Sequence, residues 1–273
     1  MLTKDEKIRK ILKKGAKPIV QNGAYFFLPG DRRPERRAHD NLLGKVQDQI
    51  KKYGRLYYFF VYAFAPVKAS TAYARKYSSL LKSFGADKVI VNLGSGPMRP
   101  SGREDIINID CFAFHEVDLI ADARDLPLED GVVDLIFNNG LIEHTDSPHA
   151  IVREMSRVLR PGGAVFCFCP FMQPYHAAPD DYFRWTIPGI RTLFSGFRDV
   201  EIEIAAGPTS GMLWVLQEWL AILLSLGSKR LHDVILMLLM VLMAPLKILD
   251  ILLVHFPYAD KIASGFHVTA RKS

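Results

Sequence analysis

Cysteine is scarce in this chain: three in 273 residues, Cys111, Cys167 and Cys169, with no pair at the two-residue gap of a metal or redox site. Cys167 and Cys169 alternate within FCFCP, which puts both on one face of a strand as reduced, buried thiols. No cluster of His, Cys and carboxylate has metal-ligand spacing, so no metal is expected. The N-terminus, MLTKDEKIRKILKKG, is charged but lacks the apolar run of a secretory signal. Nor is there an uninterrupted stretch of twenty apolar residues. The longest, 234–246, has thirteen, about 20 Å of helix where a bilayer core needs roughly 30 Å.

What is present is unevenly placed. Half of the composition is apolar and a quarter charged, as expected of a globular chain. Residues 1–60 hold 15 Lys/Arg against 6 Asp/Glu, or +9, so the remainder carries about −3 of the net +6. A basic end of this kind suits an acidic partner, a membrane surface or a nucleic acid. An aromatic block, LYYFFVYAF (56–64), follows. From residue 79 to about 205, short apolar runs (KVIVNL, DIINID, VDLI, VVDLIF, AVFCFCP) alternate with helix-like stretches such as SPHAIVREMSRVLR. That alternation predicts βαβ units and a parallel sheet. GFHVTARK closes the chain as a last strand. The expected organisation is a basic, aromatic N-terminal cap (1–78), an α/β core (79–210), an apolar helical insertion (211–263) and a final core strand (264–273).

The strand KVIVNL runs into Gly94-Ser95-Gly96. In an open parallel sheet, ligands bind beyond the carboxyl ends of the strands, and glycine admits both positive φ and a ligand against the backbone. Sixteen residues on, IINID ends in Asp110, an acid placed for ribose hydroxyls. Dinucleotide and S-adenosylmethionine sites share this geometry. A dinucleotide fingerprint wants a third glycine where Arg99 stands, and Pro97 removes a donor from a pyrophosphate cradle. A nicotinamide-dependent oxidoreductase is therefore the weaker alternative.

These residues, with DLIADARDLPLEDGVVDLIF, LIEH (141–144) and VLRPGGAVF (158–166), resemble the class I, Rossmann-like S-adenosylmethionine-dependent methyltransferases of the branch acting on small molecules and lipids. The resemblance covers about residues 86–205 and the last strand. It implies a Rossmann-like, open, mostly parallel seven-stranded sheet with helices on both faces, an N-terminal helical cap and an apolar insertion before the last strand. It also implies S-adenosylmethionine as cofactor. Gly94, Ser95 and Gly96 would cradle it, Asn92 would reach its methionine part, and Asp110 would hold the ribose. Asp122, with Ala123 beside it, would hold the adenine, and Asn139 would close the site at the end of the fourth strand. The stretch PFMQPYHAAPDDYFRWT (170–186) resembles one in a subset of bacterial methyltransferases.

Methyl transfer asks mainly for alignment, and a hydroxyl acceptor adds the need for a base. His144 and His176, at the same rim, are the candidate bases, with Asp181 a third catalytic candidate. The competing reading makes His144 a loop brace, Glu143 a pocket or bracing residue, and Asp181 the ion-pair partner of Arg184. The apolar stretches 212–227 and 234–254 contain Gln217, Glu218, Pro245, Lys247 and Asp250, which resist spanning. They predict a pair of helices lying in one leaflet, and with the basic N-terminus they predict peripheral attachment to an anionic membrane on its cytoplasmic face. A soluble apolar lid is the alternative. The expected acceptor is hydrophobic or lipid-linked and the expected reaction O-methylation. A nucleic-acid partner leaves the insertion without a purpose, and a SAM-fold protein without catalysis, serving as a membrane partner, is the remaining rival. Nothing in the sequence sets an oligomeric state.

Overall fold

The computed structural model describes residues 2–28, 67–97, 103–177 and 180–273. The aromatic block 56–64, most of the basic LPGDRRPERR stretch and Arg99 lie outside these residues.

The β-branched runs form the strands read from the sequence: Ile90–Leu93 (β3), Ile107–Asp110 (β4), Leu119–Ile120 (β5), Val133–Asn139 (β6), Leu159–Pro170 (β7), Phe197–Ala206 (β8) and Gly265–Lys272 (β9). With two short N-terminal strands, Ile19–Gln21 (β1) and Ala24–Phe26 (β2), the sheet order is β1-β2-β5-β4-β3-β6-β7-β9-β8. β3 to β7 run parallel, and β9 inserts antiparallel between β7 and β8. The sheet is open and α/β as expected, but among the described residues it has nine strands rather than seven. The extra pair is a hairpin, Ile19–Gln21 (β1) and Ala24–Phe26 (β2), and β2 adds parallel to β5. Its turn is Asn22-Gly23, both at positive φ (52° and 79°), the chemistry of a tight two-residue hairpin. The N-terminal segment is therefore not purely helical. Lys4–Ile11 (α1) is its helix, opened by a Thr3–Glu6 capping box and pinned to the core by Ile8 and Ile11.

Both faces of the sheet are covered. Pro148–Val158 (α3) and Ile187–Leu193 (α4) pack over one, where Cys167 and Cys169 are buried as free thiols. Thr71–Ser83 (α2) covers the other, packing Tyr73 against Phe166 and Tyr77 against Phe137 with tilted rings.

β8 leads directly into Pro208–Leu224 (α5), which packs along Lys229–Met243 (α6). A 3₁₀ turn, Ala244–Leu249, and Asp250–Leu253 (α7) then return the chain toward β9. By length and composition alone, the continuous segment Lys229–Leu253 could cross a membrane. Lys229 and Arg230 are exposed at its start, but its later charges, Asp233, Lys247 and Asp250, are buried. Asp250 accepts hydrogen bonds from Thr209 N (2.7 Å), Ser210 N (2.9 Å) and Ser210 Oγ (2.7 Å), so it caps α5 from inside. Lys247 is buried as well. Between α5 and α6, Glu218 Oε2 meets His232 Nε2 at 3.3 Å, and buried Gln217 donates to Leu239 O. The exposed face is the apolar one: Trp219, Ile222, Leu238, Leu242, Ile248 and Leu252 are each more than half exposed. Replacing Asp250 with alanine leaves buried donors of α5 unsatisfied. It is expected to lower stability by about 2–4 kcal/mol in urea unfolding.

Candidate active site

The carboxyl ends of β3, β4, β5 and β6 converge on one edge, and every cofactor-binding candidate lies there. After β3 the chain turns at Gly94 (φ +68°) and Gly96 (φ +56°). A Cβ on Gly94 would stand 2.8 Å from Leu141 Cβ, whereas one on Gly96 would point into open space with no atom within 4 Å. Both glycines take left-handed φ; at Gly94 the packing of Leu141 also excludes a side chain, whereas at Gly96 the space is open. Gly96 N donates to Asp110 Oδ2 (2.8 Å) and Phe112 N to Asp110 Oδ1 (2.9 Å). Burial raises the Asp110 carboxyl, and these two backbone bonds pull it partly back. Cys111 also bonds this carboxylate, so Asp110 is held firmly at the edge of the cradle. The cradle and its acid fit the cofactor expected from the sequence.

The other candidates are engaged in different ways. Asn92 donates through Nδ2 to Asn108 Oδ1 (3.1 Å), which ties β3 to β4. Ser95 is buried within the loop, its Oγ bonding Gly96 O (3.3 Å). Asp122 follows β5 and grips Arg124 through both oxygens. Burial alone would raise its carboxyl, but the Arg124 bonds outweigh it and hold the group below the usual range. Ala123 is half-buried against the core, and Asn139 is exposed at the tip of β6.

Beside Asn139 opens a cavity of about 350 Å³, lined by Gly140, Glu143, His144 and His176, with Tyr73 of α2 and Trp214 of α5 among its walls. His144 Nδ1 lies 2.7 Å from Asp180 O, and His144 and His176 meet edge to face at 5.4 Å. The His176 ring also packs on Trp214. Burial lowers the His144 imidazole and keeps it neutral, offset in part by the Asp180 carbonyl. Burial pushes Glu143 up to about 7, against its own backbone bond and the Arg184 charge. Asp181 does not line the cavity. It clasps Arg184 (2.5 and 2.6 Å) and accepts from His176 N (2.8 Å), so it takes the bracing role and sets the loop that presents His176. Burial would raise its carboxyl, but Arg184 holds it below the ordinary range.

Tyr73 and Trp214 were not readable as site residues, because α2 and α5 bring them from opposite ends of the chain. The expectation of no metal also meets a contrary arrangement: Glu143, His144 and His176 stand together although nothing in their spacing announces it. A larger cavity, about 560 Å³, opens among His149, Arg157 and Lys272 at the opposite edge of the sheet and holds none of the predicted residues.

Residues 96–167 match the model of a methyltransferase domain. That match covers about a quarter of the chain, which over this stretch is similar to methyltransferase domains. Malonyl-[acyl-carrier protein] O-methyltransferase of Hahella chejuensis is 42% identical over 52 residues, 19% of each chain. Sarcosine/dimethylglycine N-methyltransferase of Halorhodospira halochloris is 28% identical over 38% of this chain and 45% of its own. The chain therefore spans less than half the length of these curated relatives. Among solved structures, phosphoethanolamine N-methyltransferase 2 of Haemonchus contortus, in complex with S-adenosyl-L-methionine, aligns with a TM-score of 0.46 at 18% identity, over 72% of this chain and 52% of that one.

The two glycines of the turn after β3 give a paired prediction. Gly94→Ala is expected to lower the melting temperature, since left-handed φ costs roughly 1–2 kcal/mol before the Leu141 clash is added. Gly96→Ala is expected to melt closer to wild type yet lose affinity for S-adenosylhomocysteine by about tenfold or more, roughly 1.4 kcal/mol. Thermal melts and titrations of both variants check this.

Proposed function

We propose that the chain transfers a methyl group from S-adenosylmethionine to an oxygen of a hydrophobic or lipid-linked acceptor at a membrane surface. The observation that carries this reading is the cavity beside Asn139, which joins the cofactor edge to the root of an outward-facing apolar hairpin through Trp214. S-adenosylmethionine supplies an electrophilic methyl carbon on a sulfonium. Asp110 and the Gly94–Gly96 turn hold the donor in place, with Asp122 as the acid nearest the expected adenine. Tyr73, Phe168 and Trp214 offer apolar walls to an acceptor. Neutral His144, oriented by Asp180 O, is placed to take a hydroxyl proton, and His176 faces it across the same space.

The hairpin supports the membrane part. Away from the exposed Lys229 and Arg230 at its turn, Gln217, Asp233, Lys247 and Asp250 are buried while many aliphatic side chains point outward, the reverse of a helix pair in water. A lid in water would bury that face, and large exposed apolar surfaces mark contact with a partner or a membrane. The expected result is transfer of tritiated methyl from labelled S-adenosylmethionine into the organic-soluble fraction when total lipid extract is presented in anionic vesicles. Label confined to water-soluble acceptors, whether or not vesicles are present, would contradict the lipid assignment.

A further inference from the structure

We infer that Glu143, His144 and His176 form a binding site for one divalent transition-metal ion at the floor of the acceptor cavity. Each residue offers one ligand atom, and the three atoms lie within 4.8 Å of one another. His144 Nε2 is 3.8 Å from Glu143 Oε1. Ligands about 2.0–2.2 Å from a zinc-like ion stand roughly 3–3.6 Å apart, so closing the site takes side-chain shifts of about an ångström.

The ring tautomers suit an ion. Asp180 O can only accept, so His144 Nδ1 carries the proton and Nε2 keeps its lone pair. His176 Nδ1 lies 3.0 Å from Pro174 O and 3.6 Å from Asp181 Oδ2, both acceptors. Arg184 Nη2 is 3.2 Å from the same nitrogen, but it already donates to Pro174 O (2.7 Å) and Asp181 Oδ2 (2.6 Å). The proton therefore sits on Nδ1 of His176 as well, leaving Nε2 as the donor. An acceptor group behind each ring, fixing its orientation, is how metal-bound histidines are held.

Glu143 provides the independent observation. The residue is 2% exposed, and its Oε2 has no hydrogen-bond partner among the described residues. A buried carboxylate oxygen left without a donor is costly, and a cation between the two imidazoles would satisfy it. Two imidazoles and one carboxylate suit Zn²⁺, Fe²⁺, Co²⁺ or Mn²⁺ rather than Ca²⁺. Three protein ligands leave coordination positions open to the cavity, where an oxygen of the acceptor would enter. With an ion in place, the two imidazoles hold the metal instead of taking the acceptor's proton. This use of the ion rests on the methyltransferase reading; its binding does not.

The test uses untagged full-length protein stripped by chelator, titrated with Zn²⁺ by calorimetry and with Co²⁺ by visible absorption. One equivalent should bind, with cobalt bands of a low-coordinate site. His144→Ala and His176→Ala should each abolish the bands. Glu143→Gln, which keeps the side-chain volume, should weaken binding at least tenfold, and all three variants should bind S-adenosylhomocysteine as wild type does. Absence of metal binding by protein that binds S-adenosylhomocysteine would overturn the proposal, as would stoichiometric binding indifferent to the three substitutions. Metal binding lost in the variants, in a protein that ignores S-adenosylhomocysteine, would uphold the site and remove the methyltransferase reading instead.

Discussion

Asp110→Ala should abolish measurable binding of S-adenosylhomocysteine. The carboxylate sits at the tip of β4, beside the Gly96 cradle, where the ribose hydroxyls of the donor are expected. A hydrogen bond to a charged acceptor contributes about 1.5–3 kcal/mol, so losing two amounts to roughly 3–6 kcal/mol, a hundredfold or more in affinity. The substitution also strips Gly96 N and Phe112 N of their acceptor, which loosens the cradle itself. Asp110→Asn separates the two effects. It retains an oxygen for one backbone donor but no charge, and it should fall between wild type and alanine while melting near wild type. If both variants bind like wild type, the ribose assignment is wrong.

The second large effect concerns the hairpin. Ile222→Asp combined with Leu242→Asp should remove binding to anionic vesicles in a co-sedimentation assay. The two side chains are 64% and 72% exposed in the folded chain, and burial of such a residue in lipid contributes about 1.5–3 kcal/mol when complete. Losing most of that at two positions comes to about 2–4 kcal/mol, or roughly 30- to 1,000-fold in partitioning, before any repulsion from anionic headgroups. The fold should be untouched, because neither position packs inward. Vesicle binding that survives the double substitution but fails in high salt would shift the attachment to the basic residues. Absence of binding by the wild type would return the hairpin to the role of a lid or a dimer face.

Much of the core was legible because its strands are short, β-branched and separated by helical periods. IVNL, INID and VDLIFNN could hardly be anything else, and the order of acid and glycine along them carried the cofactor site. The β1–β2 hairpin escaped, although Asn22-Gly23 is a strong turn signal, because the surrounding charge made residues 1–78 read as one basic cap. Lys247 and Asp250 show what a count along the chain leaves out. Counted along the chain they are penalties against lipid, but the fold turns them inward, where Asp250 caps α5. The acceptor cavity was legible only in part. His144 and His176 could be placed at the rim from the strands they follow. Tyr73 and Trp214 arrive on helices more than a hundred residues apart, and no local pattern marks them. Asp181 shows the limit of composition: an acid beside a rim histidine suggests chemistry, yet Arg184 claims both of its oxygens.

The measurement that bears most directly on the account is a calorimetric titration of the wild-type chain with S-adenosylhomocysteine, run beside one with NADH. The account predicts one equivalent of thioether bound and no heat with NADH, since the Gly94–Gly96 turn lacks a third glycine to seat a pyrophosphate. Binding of NADH in place of the thioether, by protein shown to be folded, would contradict it.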